Sequence, residues 1–152
     1  MSFKVTDDWQ VALTWLVQPT GRAWQRAAGA ALTRSGLPLA AAAALLTIER
    51  LGDGVRQKDV AEEAAIDPAA IARSINQLEK EGMVNRETDA RDARAKTLHL
   101  TPAGRDVAAR LNTALNEVRK TILAGISDKD GQAVVRVLLN LEAASNAYSS
   151  QE

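Results

Sequence analysis

The chain has 152 residues, which suits one domain with a substantial buried core. It is 46% hydrophobic and 25% charged, with a formal net charge of +0, no cysteine and one histidine. This composition is ordinary for a soluble globular protein, and it excludes a disulfide framework, a thiol redox switch, a zinc site built on several histidines and non-specific polyanion binding through a high net charge.

The N-terminal region is predicted to form a helix that begins at Thr6, a residue type that caps helices well. Pro19 should break or kink this helix near residues 18–21, because proline removes one backbone hydrogen bond and crowds the preceding turn. The helix then resumes, and Gly36 ends it. The chain start lacks the basic-then-apolar order of a secretory signal, and no apolar run reaches the length of a membrane span, so we expect a cytoplasmic protein with no membrane partner.

A central helix is predicted at residues 39–51. It is apolar almost all round, and helices without a polar face are normally buried. A Gly-Asp-Gly turn at residues 52–54 follows, and Val55 and Arg56 are predicted to add a short third strand to a small sheet. Another helix is expected from about residue 57.

The next helix carries the strongest local pattern in the chain. Asp67 can cap its free backbone donors, and Pro68 occupies the first position, where a missing N–H group costs nothing. Ile71, Ile75 and Leu78 then form one apolar stripe. The opposite face has no acidic residue and consists of Ala69, Arg73, Asn76, Gln77 and Lys80. Arg, Asn and Gln are the side chains that read base edges in a major groove, although a merely solvated helix face is the alternative.

Two short strands are predicted at residues 83–88 and 96–100, since apolar and polar residues alternate in the second of them. The connecting loop places Arg91 and Arg94 at or near the tip of a hairpin. A basic hairpin that projects beside a reading helix suits phosphate contacts and insertion of an arginine into a minor groove. The basic residues of this hairpin are Arg86, Arg91, Arg94 and Lys96.

Two helices are predicted after the hairpin. Thr101 and Pro102 begin a long amphipathic helix that extends to about Gly125, and Ser127 caps a last helix that frays after about Tyr148. Their apolar faces lie far in sequence from the small central core. A second copy of the chain is the economical partner for them, and packing within one subunit is the alternative.

Four stretches together resemble the MarR family of bacterial transcriptional regulators. They are QKDVAE at residues 57–62, NQLEKEGMVNR at 76–86, DARAK at 92–96 and LHLTPAG at 98–104. The turn within the second stretch is common to many winged helices, whereas the Asp-x-Arg wing followed by Leu-Thr-x-x-Gly is much more specific to this family.

The resemblance implies a mainly α fold and one MarR-type domain over residues 1–152. Within it, a winged helix-turn-helix with a small β-wing should occupy about residues 37–104. Dimerisation helices should occupy about residues 6–35 and 105–148.

The resemblance also implies a function. Such a protein is a homodimeric repressor that binds a pseudo-palindromic operator in double-stranded DNA and often releases it when a small aromatic or anionic ligand binds, with no cofactor. In the family the wing arginine enters the minor groove and the aspartate positions it, roles that fall on Arg94 and Asp92 here. The full set of predicted DNA contacts is Ala69, Ala70, Arg73, Ser74, Asn76, Gln77, Lys80, Arg86, Arg91, Asp92, Arg94 and Lys96.

Two further expectations have open alternatives. Family ligands often lie between the dimer helices and the DNA-binding lobe, where Trp15, Arg22, Trp24 and Arg26 are candidate ligand-binding residues; alternatively the tryptophans fill the core and the arginines are solvated. No catalytic motif is present, so an enzyme is not expected. The alternative function is a winged-helix module that binds protein partners without specific DNA binding, which the neutral net charge favours.

Overall fold

The computed structural model describes residues 8–150 and forms two compact units, which meet in sequence between Val118 and Arg119. The elements in chain order are α1 (Trp9–Leu32), a 3-10 turn (Thr33–Ser35), α2 (Leu39–Leu51), β1 (Val55–Arg56), α3 (Gln57–Ala64), α4 (Pro68–Lys80), β2 (Val84–Thr88), β3 (Lys96–Leu100), α5 (Pro102–Ile122) and α6 (Asp128–Ser149). The predicted mainly α fold with a small β-wing is confirmed.

Helix α1 is continuous from Trp9 to Leu32, with Pro19 inside it. Of the predicted break or kink, the break is wrong, because the helix runs through the proline; the kink stays a prediction. Trp15, whose carbonyl loses its partner at Pro19, is exposed along with Pro19 itself, so water can satisfy that carbonyl. The helix is capped by Asp8, whose carboxylate accepts a hydrogen bond from the Gln10 backbone N–H at 3.0 Å. The predicted cap at Thr6 lies outside the described residues.

Helix α2 is the centre of the first unit, as its sequence predicts. Leu45 and Ile48 are fully buried. Side chains from the other helices of this unit and from the sheet pack around them. The partners with no exposed surface include Val60 of α3, Ile71, Ile75 and Leu78 of α4, Val84 of β2, Leu98 of β3 and Ala108 of α5. This core fixes α4 and the sheet relative to each other, and so it positions the two surfaces that carry the candidate DNA contacts.

The sheet is antiparallel with strand order β1-β3-β2. Val84 pairs with Leu100 and Thr88 with Lys96, so β2 and β3 form a hairpin whose loop spans residues 89–95; we call this loop the wing tip. The predicted third strand is confirmed, because β1 pairs with β3. The first strand of the hairpin begins one residue later than predicted, at Val84.

The start of α5 is tied closely to the residues that precede β2. The Thr101 hydroxyl donates to the carbonyl of Gly82 at 2.7 Å and accepts from the Gly104 N–H at 3.1 Å, and the Thr101 N–H donates to the carbonyl of Met83 at 3.1 Å. The chain passes so near Met83 that a side chain at Gly104 has no room. The Leu-Thr-Pro-x-Gly stretch, which carries part of the family resemblance, therefore packs the start of α5 closely against the base of the hairpin.

A charged contact that the sequence did not predict also connects the end of β3 to the start of α5. The Asp53 carboxylate accepts hydrogen bonds from Arg105 Nη2 at 2.7 Å and from the Leu100 backbone N–H at 3.0 Å. The bond from Arg105 and then the bond from Leu100 lower the pKa of Asp53 below its ordinary value. This turn residue thus joins the end of β3 to the first turn of α5.

In the second unit, Ser127 caps α6 as predicted, because its hydroxyl accepts from the Asp130 N–H at 3.2 Å. Helix α6 ends at Ser149, close to the predicted position, whereas α5 ends at Ile122, three residues before the predicted Gly125. Most of the large apolar side chains of α6 are exposed, including Val135 at 56% and Leu139 at 59%.

No single helix among residues 8–150 has the length and hydropathy needed to cross a membrane. Only α1 with its 3-10 turn, taken together with α2 across a 99° bend, meets that test by length and composition.

Candidate nucleic-acid interface

Helix α4 presents a polar outer face. Its start is fixed by Asp67, whose carboxylate accepts from the Ala70 N–H at 3.0 Å, with Pro68 in the first turn as predicted. Arg73 and Lys80 are exposed on this face, and no acidic oxygen among residues 8–150 lies within 4 Å of either cationic group. Both cations are therefore available to an outside partner. The predicted outer-face residues Ala69, Arg73, Asn76, Gln77 and Lys80 are all exposed, and Ala70 is half-buried.

Ser74 was predicted among the DNA contacts, but only 8% of its surface is exposed. It lies on the inner side of α4, next to the core residue Ile75. The apolar stripe already indicates this placement, since Ser74 is one position before Ile75 and three after Ile71. Ser74 is therefore not part of the outer face.

Arg86 and Asn76, both predicted DNA contacts, bind each other. Arg86 Nη2 on β2 donates to Asn76 Oδ1 on α4 at 2.8 Å, and Arg86 Nη1 lies 3.9 Å from the Glu79 carboxylate. The Arg86 side chain is only 22% exposed, and its Nε is a buried donor without a partner in the described residues. Arg86 thus locks the hairpin to α4 and orients the Asn76 amide, which the sequence pattern did not reveal.

Gln77 also has an internal partner, because its amide donates to the Glu81 carboxylate at 2.9 Å. This pair is an exposed i, i+4 contact of the kind worth only a few tenths of a kcal/mol. Such a contact is easily exchanged for a stronger one, so it leaves Gln77 able to bind a base edge.

The wing tip is organised by Asp89, a residue that the sequence analysis did not single out. Its carboxylate accepts from the Arg91 N–H at 2.7 Å and from Arg56 Nε at 2.7 Å, and its side chain is only 10% exposed. The bond from the Arg91 N–H and then the bond from Arg56 lower the pKa of Asp89, while Asp89 raises the pKa of Arg56. The pair joins the loop to β1, 33 positions earlier in the chain, and no local pattern could have indicated it.

At the far end of the wing tip, Arg94 projects into solvent with a side chain that is 93% exposed. The Asp92 carboxylate accepts from the Arg94 backbone N–H at 3.1 Å and lies 3.4 Å from its Nε. Arg91 is also exposed. Lys96 Nζ donates to the Thr88 hydroxyl at 2.9 Å across the hairpin. The wing tip and the first residue of β3 therefore hold three cations at the surface, in a loop and strand pair joined by hydrogen bonds.

A cavity of about 490 Å³ lies beside the wing tip, between its base and the start of α3. Its basic lining residues are Arg56, Lys58, Arg94 and Lys96. The chain's net charge of zero thus conceals a local clustering of positive charge beside the wing tip.

The candidate ligand-binding residues on α1 do not form one group. Trp15, Arg22 and Arg26 are exposed and, at spacings of seven and eleven residues, share one side of an unbroken helix. Trp24 is half-buried and, nine residues from Trp15, lies on the opposite side. None of the four is among the residues that line three cavities of the described residues, of about 490, 370 and 750 Å³.

A second cavity of the first unit, about 370 Å³ in volume, has a lining that suits a small amphipathic anion. Its lining combines two basic residues, Arg34 and Arg110, with apolar residues that include Leu37, Met83 and Leu111. For metals, no group of three or more His, Asp or Glu side chains between residues 8 and 150 is placed to hold an ion.

Comparison with known proteins identifies relatives of this chain. Residues 35–95, which include α2, α3, α4 and most of the hairpin, match the model of the MarR family. The matched segment therefore contains the outer face of α4 and the wing tip.

Solved structures extend the likeness over nearly the whole chain. The transcriptional regulator PA3341 is 30% identical, with a TM-score of 0.79 over 89% of this chain and 98% of its own. A MarR-family regulator from Silicibacter pomeroyi is 25% identical, with a TM-score of 0.74 over 87% and 88% of the two chains. CouR from Rhodococcus jostii RHA1, solved with p-coumaroyl-CoA bound, is 24% identical, with a TM-score of 0.71 over 92% and 95%.

Proposed function

The chain belongs to the MarR family of transcriptional regulators, and from this premise we propose that it is a cytoplasmic, homodimeric repressor that binds a pseudo-palindromic operator and is released by a small anionic ligand. The observation that carries the DNA-binding part is the exposed, basic outer face of α4 beside a wing tip whose Arg94 is 93% exposed. These are the two surfaces that a winged helix needs for a major groove and the adjacent minor groove.

In the proposed complex the contacts divide by role. Arg73 and Gln77 of α4 read base edges, Lys80 binds phosphate, and Arg94 enters the minor groove. Asn76 and Arg86 act as a bonded pair, so Arg86 orients the Asn76 amide. Ser74 is left out because it is buried.

The test of the proposed function is a footprint on the DNA upstream of the protein's own gene. Specific, salt-dependent protection of a two-fold symmetric site is expected. If the chain were a winged-helix module for protein partners, random DNA would bind as well as the upstream DNA, and no site would be protected.

Replacing Arg73 by alanine should reduce discrimination between operator and random DNA by about 1–3 kcal/mol, the range expected when a bidentate base contact is lost. Gln77→Ala should act in the same direction but less, since Gln77 must first leave Glu81. Competition binding with both DNAs measures this. Arg50→Ala serves as control because it removes the same charge from α2, where Arg50 pairs with Glu63. Equal losses on both DNAs would mean that Arg73 touches phosphate instead of bases.

The proposed dimer is supported by apolar side chains that the single chain leaves exposed. On α1 these include Trp9 at 67% and Trp15 at 60%, and on α6 they include Val135 and Leu139. Patches of this kind on a regulator that reads a symmetric site mark a contact between copies. In such a dimer the two α4 helices would lie about one DNA turn apart, roughly 34–36 Å.

Charged substitutions on α6 should separate the proposed dimer. Val135→Glu combined with Leu139→Glu puts two carboxylates on one side of the helix, and burying each unpaired charge would cost several kcal/mol. We expect monomers by light scattering at micromolar concentration, unchanged helix content and weaker operator binding. Asn140→Glu adds a charge to the same helix at a polar, exposed position and is the control. A double variant that remains a dimer would remove α6 from the interface.

The proposed ligand response rests on the cavity whose lining includes Arg34 and Arg110. Guanidinium groups over apolar walls fit a carboxylate attached to a small aromatic body. The bound p-coumaroyl-CoA of CouR is a precedent in this fold for an aromatic, anionic ligand. Such a ligand releases DNA only to the extent that it binds the free arrangement better than the DNA-bound one. Titration of aromatic carboxylates against tryptophan fluorescence and operator release tests this.

A further inference from the structure

The cavity beside the wing tip combines residues from two parts of the first unit. Arg56 and Lys58 come from β1 and the first turn of α3, whereas Arg94 and Lys96 come from the wing tip and β3. One carboxylate, that of Asp92, also lines it. The residues from α3 were not among the predicted DNA contacts, so the cavity adds a third element to the candidate interface.

The four cations differ in how far their charge is already balanced. Arg56 Nε lies 2.7 Å from an oxygen of the Asp89 carboxylate, and Arg94 Nε lies 3.4 Å from an oxygen of the Asp92 carboxylate. Lys58 and Lys96 are exposed, and neither has a carboxylate oxygen within 4 Å among residues 8–150. Lys96 donates only to the neutral Thr88 hydroxyl, which leaves two of its three N–H groups for another acceptor.

We propose that this cavity binds a phosphate group of the DNA backbone through Lys58 and Lys96, next to the minor groove that Arg94 enters. The inference rests on the proposed function, since it assigns one more contact in the same complex. A side chain that enters a minor groove has a phosphate backbone on each side of it, and lysine is well suited to phosphate as a compact point charge. The Asp92 carboxylate at the rim disfavours a doubly charged free phosphate more than it disfavours a singly charged phosphodiester.

The first test is the salt dependence of DNA binding by Lys58→Gln. Losing one phosphate contact should reduce the slope of log K against log salt by about 0.9, equally on operator and on random DNA, because a phosphate carries no sequence information. Lys58 is exposed, so the substitution should leave the melting temperature unchanged. Lys129→Gln makes the same change of charge on α6 at a residue that does not line the cavity, and its slope should equal that of the unaltered protein. An unchanged slope for Lys58→Gln would overturn the proposal.

A second measurement locates the phosphate. Operator duplexes with one neutral methylphosphonate each, moved stepwise along the backbone, should include a position that weakens the unaltered protein but not Lys58→Gln. This non-additivity would show that the two changes remove the same contact. If every position weakens both proteins equally, no phosphate faces Lys58 and the proposal fails.

Adding inorganic phosphate at constant ionic strength tests whether the cavity binds a phosphate of the DNA backbone or free phosphate. For a site that takes the DNA backbone, it should displace DNA no better than chloride does. Stronger displacement from the unaltered protein than from Lys58→Gln, without a coupled methylphosphonate position, would assign the cavity to free phosphate and overturn the proposal. Failure of the proposed function would appear differently, as equal affinity for operator and random DNA, and the slope comparison on random DNA would still decide the phosphate site.

Discussion

Gly104→Ala should destabilise the protein by about 2 kcal/mol or more, the range for forcing extra atoms into a well-packed site. An added Cβ would overlap the carbonyl oxygen of Met83 and lie 3.0 Å from its carbonyl carbon, and neither backbone atom can rotate away. The same carbonyl accepts the Thr101 N–H, so a shift that relieves the overlap also disturbs that bond. At 2–4 °C per kcal/mol for a chain of this size, thermal unfolding at fixed protein concentration should show a drop of about 4–8 °C.

Gly21→Ala is the matched control for this substitution. Gly21 also lies in a helix, and an added Cβ there has no atom within 4 Å, so alanine should be neutral or stabilising by up to about 1 kcal/mol. A Gly104 variant that melts with the unaltered protein would mean that α5 seats less tightly on Met83 than the structure indicates.

Local signals predicted most of the fold because they report local physics. Asp67 and Pro68 mark the start of α4, and the spacing of its isoleucines defines the buried side; both are properties of one helix. The alternation in β3 likewise places Leu98 and Leu100 on the buried side of the strand. The exception is Pro19, where the cost of one lost hydrogen bond did not end a helix whose exposed turn can be hydrated.

The details of the candidate interface could be predicted only in part, because they depend on contacts between distant residues. Helical spacing identified Arg73 and Lys80 as outward, and both are exposed. It could not identify the bond between Asn76 and Arg86, since that depends on how β2 packs across α4. The sequence alone does not distinguish a strand residue whose charged side chain is free to bind DNA from one whose side chain is hydrogen-bonded to a neighbouring residue.

The structure of the wing tip also depends on a contact between residues that are distant in the sequence. The resemblance implied that Asp92 positions Arg94, and the two are within hydrogen-bonding distance. The tie between Asp89 and Arg56, however, crosses from the loop to β1, and it also holds the Arg91 backbone. Because these partners lower the pKa of Asp89 in the folded protein, its contribution to stability is present above the unfolded pKa and is lost as the pH falls through the lowered folded pKa.

Arg94→Ala should weaken operator binding at least tenfold, which corresponds to about 1.4 kcal/mol. The Arg94 side chain is 93% exposed and, within the described residues, forms a hydrogen bond only with Asp92, so its removal should not unfold the protein. The substitution removes a guanidinium group that the hairpin positions at the surface, where the negative potential of a narrow minor groove would attract it. Fluorescence anisotropy with a labelled operator duplex at physiological salt measures the effect.

Three further variants separate the possible causes of that loss. Arg94→Lys keeps the charge but not the planar guanidinium, so an intermediate affinity is expected if the shape of the group matters. Asp92→Ala should cost less than Arg94→Ala, because it only loosens the positioning of the arginine. Arg50→Ala removes an exposed arginine from α2, outside the proposed DNA and dimer contacts, and should change affinity less than twofold, the size of effect expected from net charge alone. If Arg94→Ala binds as well as Arg50→Ala, the wing tip does not enter the groove, and recognition must rest on the outer face of α4.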